Sequence, residues 1–178
     1  MKRGLTVPFS LFGGANSTFV TACRNIFFIL LLSLLTFNTN TLMETSRIVY
    51  LGELRTEAEH VRSGNKFLTD APIDNQGKGE FFSPTDLLAT SLGACMITIM
   101  GIAARTHKFD IDGTKISVTK VMGSNPRRVV EIVVELTFPH NNYTAKERKL
   151  LELSAKECPV ANSLHPDLKQ TIVFKFAE

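Results

Sequence analysis

The stretch that decides the fold runs from Ser83 to Arg105 and reads SPTDLLATSLGACMITIMGIAAR. Its opening carries several helix-start signals together. Ser83 is a capping residue, Pro84 suits the first helical position, and Asp86 sits three after the cap, where the positive end of a helix favours a carboxylate. Leu87 to Ala104 then hold no charge and are apolar nearly all round a helix. Such a run approaches the lower limit of a membrane span. However, Gly93 and Gly101, the interspersed Thr90, Ser91 and Thr98, and the charges of Asp86 and Arg105 at its ends fit a helix packed closely within protein. The stretch predicts the central core helix of a globular domain.

Upstream, Arg47 to Val61 reads as two short strands bent at Gly52. Ile48, Tyr50 and Leu54 share one parity, and Glu53, Arg55, Glu57 and Glu59 share the other, half-exposed one. Ser63-Gly64-Asn65 makes a turn, Lys66 to Asp70 a third strand, and Ala71 to Glu80 a loop marked by Pro72, Asp74, Asn75, Gly77 and Gly79. Downstream, Lys115 to Val121 alternates and Gly123-Ser124-Asn125-Pro126 turns the chain. The return strand sets Val130, Ile132, Val134, Leu136 and Phe138 on one face, so this hairpin has one wet side and covers a helix with the other. Thr144 and Glu147 form a capping box that opens a helix to about Lys156. Cys158-Pro159 breaks that helix, Val160 to Leu164 adds a short helical turn, and Thr171 to Phe176 closes as a strand with Ile172, Phe174 and Phe176 inward. Strands, buried helix, hairpin, helix pair and strand make an α+β domain without repeats. One helix apolar on every side is more than so small a domain covers alone, which predicts an intertwined homodimer.

The chain has 178 residues, 44% hydrophobic and 21% charged, enough apolar material for one domain core. Its net charge of +3 is located in Lys2, Arg3 and Arg24, the only charged residues before Glu44, so the body from Met43 onward is neutral. A nucleic-acid binder shows a clustered basic surplus, and no nucleic-acid partner is expected. Ile26 to Phe37 is an apolar run too short to span a bilayer, and no small-residue cleavage site follows it. The expected division is residues 1–42 as an extension outside the core, either an over-extended start or a signal-like segment, and 43–178 as the folded domain. The domain is expected in the cytoplasm without a membrane, or exported or tethered if the run is a true signal.

The three cysteines, Cys23, Cys95 and Cys158, are too few for a disulfide framework and lack zinc-ligand spacing. Cys95 lies mid-helix on the face of Leu88, Leu92, Ile99 and Ile102, the setting of a small buried hydrophobe. Cys158 stands at the cap of the short helix that Pro159 opens, where backbone N–H groups favour a thiolate, and this local argument makes it the more acidic thiol. As a pair they permit more. A thiolate attacking a peroxide O–O bond becomes a sulfenic acid, and a second thiol condenses with it to a disulfide that an external dithiol reduces. Two thiols and one cation suffice, with no metal or other cofactor, provided that the Cα atoms come within about 7 Å.

Phe82-Ser83-Pro84-Thr85-Asp86-Leu87-Leu88, then Ser91-Leu92-Gly93-Ala94-Cys95, and later Cys158-Pro159-Val160 with Ser163-Leu164, resemble the OsmC/Ohr family of thiol-dependent hydroperoxide reductases over about residues 46 to 176. The resemblance is nearest to its OsmC-like branch. It implies a swapped α+β homodimer, with two central helices wrapped by antiparallel sheets and active sites at the subunit interface. It also implies reduction of organic hydroperoxides to alcohols, with Cys95 as the peroxidatic cysteine and Cys158 as the resolving one, which reverses the local ranking of acidity. The family carries a Glu ten residues before the first cysteine, which holds an activating arginine. Here that position is Thr85, and the adjacent Asp86 is the expected substitute. The arginine comes from the N-terminal strand region, where Arg55 is the first candidate and Arg62 the second. The departure at Thr85 keeps a different reading in view: a non-peroxidatic relative that holds a small apolar ligand at the dimer interface.

Overall fold

The computed structural model describes residues 43–177. The 1–42 segment, with Cys23 and the apolar 26–37 run, lies outside the described residues, and Thr45–Glu178 forms one compact unit. Its first layer is an antiparallel sheet of β1 (Ser46–Gly52), β2 (Arg55–His60) and β3 (Lys66–Asp70), in that order. The bend expected at Gly52 is there. Glu53 and Leu54, the central positions of a tight two-residue hairpin, take the left-handed φ values it demands, +48° and +61°, and the flanking Gly52 has φ +90°. The second turn, around Ser63 and Gly64, sets Arg55 directly opposite Asp70 and Thr56 opposite Thr69.

Helix α1 (Pro84–His107) follows, opened by the capping box that its sequence announces: Ser83 Oγ accepts from Asp86 N–H, and the Asp86 carboxylate accepts from Ser83 N–H. The second sheet holds β4 (Lys115–Ser124), β5 (Arg127–Phe138) and β6 (Lys169–Phe176), with β4 antiparallel and β6 parallel to β5. A parallel pairing needs a crossover, and α2 (Ala145–Lys156) with α3 (Pro159–Ser163) supplies it. The alternation of β5 is met at Ile132, Val134, Leu136 and Phe138, all buried. It is not met at Val130. A register shift beside Val121 and Met122 lets Val129 take the buried place, so the inward parity changes at that end of the strand.

Helix α1 is long and apolar enough to cross a bilayer by length and composition, and here it serves as the core helix. Leu92, Met96 and Met100 are fully buried in one cluster with Ile132, Val134, Leu136 and Leu151. Gly93 marks the closest approach to the sheet, since a Cβ there would stand 2.8 Å from Val118 Cγ2. A single chain covers only part of the girth of this helix, as expected of a helix too apolar for so small a domain to cover alone. Leu88 is 38% and Ile102 56% exposed, and Cys95 between them is half-buried. The first sheet departs likewise: Ile48, Val49, Tyr50 and Leu51 are all exposed, so β1 has no buried parity, and Ala58 of β2 is the buried apolar residue of this pair.

Candidate active site

The fold brings the two cysteines together. Cys95 lies on α1, and Cys158 is the N-cap residue of α3, with Pro159 at the first helical position as its sequence requires. Cys158 is fully buried, and α3 packs on α1 so that its thiol lies beside Cys95. Both are free thiols. Burial pushes the Cys158 thiol above its ordinary value, and the neighbouring Cys95 thiol adds to this. The backbone N–H groups of Ala161 and Val160 at the start of α3 pull the other way and are outweighed. The local ranking of acidity is thereby corrected: the helix end acts as expected, but an apolar surround disfavours the charge more strongly.

Arg55 lies elsewhere. Its guanidinium forms a fork on the buried Asp70, with Nε to Oδ1 at 2.7 Å and Nη2 to Oδ2 at 2.8 Å. Nη2 also donates to the exposed Glu80, and the plane rests over the Phe81 ring at 4.7 Å. These hydrogen bonds raise the guanidinium further above its already high pKa, and Arg55, with a backbone N–H of Glu80, holds the Asp70 carboxyl below the usual carboxylate range. Asp70 N–H in turn donates to Phe82 O, the residue just before the α1 cap. The arginine is therefore anchored at the N-terminal end of α1, while Cys95 lies twelve residues past the Ser83 cap, about 18 Å along the axis. Arg62 sits exposed in the turn after β2.

Asp86 does not hold Arg55. It pairs with Lys120 of β4 at 2.8 Å, and Lys120 also donates to Ser83 Oγ at 3.0 Å and Thr85 Oγ1 at 2.7 Å. Burial opposes the Asp86 charge, but the bonds from Lys120 and Ser83 prevail and its pKa is lowered. Nine residues separate Asp86 from Cys95, about half a revolution beyond two full turns and about 13.5 Å of rise, so the two face opposite sides of α1. Sequence reasoning missed Asp70, Glu80 and Lys120. The signal for Asp70 was present: Arg55 and Asp70 are equidistant from the turn that separates β2 from β3, so a tight hairpin makes them cross-strand partners. Among the described residues no cluster of His, Cys, Asp and Glu is suited to a metal ion.

Residues 77–173 match the family described as OsmC-like protein. A solved structure from Psychrobacter arcticus 273-4, whose name assigns it to osmotic stress induction and the detoxification response, is 53% identical. The match covers 74% of this chain and 96% of that one, with a TM-score of 0.71. Two organic hydroperoxide resistance proteins share the fold at low identity. The one from Legionella pneumophila is 16% identical, with 75% and 98% of the two chains covered and a TM-score of 0.61. The one from Elizabethkingia anophelis is 15% identical, with 77% and 99% covered and a TM-score of 0.61. No curated protein matches the chain.

Proposed function

On the premise that the chain belongs to the OsmC-like protein family, we propose that it is a thiol-dependent peroxidase that reduces organic hydroperoxides to alcohols. The observation that carries this reading is the closeness of a half-buried Cys95 and a buried Cys158 drawn from distant parts of the chain. In the first step the Cys95 thiolate attacks the distal oxygen of ROOH. The O–O bond breaks, the leaving alkoxide takes a proton as ROH, and Cys95 becomes a sulfenic acid. In the second step the Cys158 sulfur, giving up its proton, attacks the Cys95 sulfur. The S–O bond breaks, water leaves, and a Cys95–Cys158 disulfide remains. An external dithiol then returns both thiols and is itself oxidised to a disulfide.

Leu88 and Ile102, exposed on either side of Cys95, suit an alkyl hydroperoxide better than hydrogen peroxide. The cation at this site is Arg55 of a second copy. Arg55 is anchored well along the helix from its own Cys95, and the open apolar face of α1 is the surface a twofold partner covers. Two antiparallel central helices then set the N-terminal end of each against the middle of the other. Gly101 fits this packing, because its missing Cβ relieves no crowding within the chain.

The test is the mass and peptide map of the full chain after one equivalent of cumene hydroperoxide. A Cys95–Cys158 disulfide is expected in the parent, and a sulfenic adduct on Cys95 in Cys158→Ser. Two free thiols after excess peroxide would overturn the peroxidase. They would favour the relative that holds a small apolar ligand at the dimer interface. That relative would retain an apolar ligand in Cys95→Ser.

A further inference from the structure

The family resemblance places a carboxylate for the arginine at position 85, and the structure commits that position elsewhere: Thr85 Oγ1 accepts from Lys120. Lys120 is itself occupied, with Ser83, Thr85 and Asp86 around one ammonium group. The helix N-terminus thus has its own closed network, and no carboxylate of that network reaches Arg55. What reaches Arg55 comes from β3 and the loop after it. Asp70 is 2% exposed and Glu80 60%. Asp70 accepts two parallel bonds from the guanidinium and one from Glu80 N–H at 3.1 Å, and is clamped through its own N–H to Phe82 O. Glu80 accepts one bond on a side chain largely in water.

We propose that Asp70 is the positioning residue that orients Arg55 for the peroxide reaction, through the two-bond fork built by the β2–β3 register. The inference rests on the peroxidase reading above and adds a residue to it. The fork uses Nε and Nη2 and leaves Nη1 without a hydrogen-bond partner among the described residues. The edge carrying Nη1 is then the one offered to an incoming thiolate and to the oxygens of the peroxide. Phe81 beneath the plane fixes the third direction. A guanidinium held at two atoms by a buried carboxylate keeps one rotamer, whereas Lys in its place has no fork to hold.

A simple field argument and a positioning argument predict opposite signs, which makes the role testable. Removing the Asp70 charge while Arg55 stays in place leaves more positive charge near the thiol, and the thiolate gains. Losing the fork lets Arg55 swing away, and the thiolate loses. The measurement is the rate of Cys95 alkylation by iodoacetamide at neutral pH, read by peptide mapping on the full chain, with peroxide consumption followed in parallel. Arg55→Gln and Asp70→Asn are each expected to slow alkylation by about fivefold. The double variant is expected to be no slower than either, because both remove one unit. Asp74→Asn, which takes an exposed carboxylate from the same loop, serves as the control. An Asp70→Asn rate equal to or above the parent overturns the proposal, and so does an Arg55→Gln rate that does not fall. Slowed alkylation in both variants, with no peroxide consumed by the parent, would instead sink the peroxidase and leave the Asp70–Arg55 unit standing. If Asp70→Asn fails to fold, Asp70→Glu keeps the charge but moves the fork by one methylene. Slower alkylation is again expected, and an unchanged rate overturns the proposal.

Discussion

Mixing two inactive variants decides whether the arginine serves its own chain or its partner's. Arg55 is tied through Asp70 to Phe82 at the start of α1, and Cys95 lies about 18 Å further along the helix. A fork fixed at one end of that distance leaves the thiol out of an arginine's reach, so on the proposed reading each complete site takes Cys95 and Cys158 from one copy and Arg55 from the other. Cys95→Ser lacks the nucleophile and Arg55→Gln the cation, and each alone is expected to retain little turnover. Unfolded together in equal amounts and refolded, they pair at random, and about half the dimers are mixed. A mixed dimer holds one complete site of two, formed by the thiols of the Arg55→Gln chain and the arginine of the Cys95→Ser chain. Recovery is therefore about one quarter of the parent turnover per chain, assayed as loss of cumene hydroperoxide with dithiothreitol as reductant. A mixture that merely averages its two components would refute the shared site and place Arg55 in its own chain's chemistry.

Ser83→Ala removes a buried hydroxyl that bonds Asp86 twice and Lys120 once, and is expected to cost about 2 kcal/mol. Thr144→Ala, at the exposed cap of α2, costs about 1 kcal/mol, and equal urea midpoints for the two would contradict the ranking. Gly93→Ala puts a methyl 2.8 Å from the stiff Val118 side chain, whereas at Gly101 nothing lies within 4 Å. The helix-propensity gain of about 1 kcal/mol is therefore outweighed at Gly93 by an overpacking cost of about 1–3 kcal/mol, and a Gly93→Ala protein as stable as the parent would refute the close approach. Asp70 has its folded pKa lowered by Arg55, so its contribution is present above its unfolded value of about 3.9 and is lost as pH falls through the lower folded value. The gap in urea midpoint between parent and Asp70→Asn should close below about pH 4, and a gap constant down to acid would show that the carboxylate charge contributes nothing.

Local chemistry was legible wherever a few neighbouring residues decide the outcome. Ser83-Pro84-Thr85-Asp86 and Thr144 with Glu147 state their caps outright, and both boxes form. Cys158-Pro159 states a helix break and start, and both occur. What escaped was set by pairs far apart in sequence. The parallel docking of β6 on β5 and the bulge that buries Val129 in place of Val130 depend on which strand lies alongside. Arg55 is marked by its resemblance to a family arginine, and Asp86, a negative charge near the right position, draws the expectation of its partner onto the helix. The hairpin register points instead to Asp70. The apolar girth of α1 shows that burial is required but not which chain supplies it, and Leu88 and Ile102 remain uncovered by their own fold.

On the peroxidase reading, the division of labour between the thiols follows from where each sits. A resolving cysteine has to remain protonated while its neighbour reacts and then become a nucleophile toward the sulfenic sulfur. Full burial and the neighbouring Cys95 push the Cys158 thiol above its ordinary value, while the N–H groups of Val160 and Ala161 pull toward the thiolate. On the peroxidase reading, the start of the short α3 therefore acts on the second step, where its backbone N–H groups favour charge on Cys158 at the moment of attack. Pro159 fits that role, because it opens the helix at a position that needs no N–H.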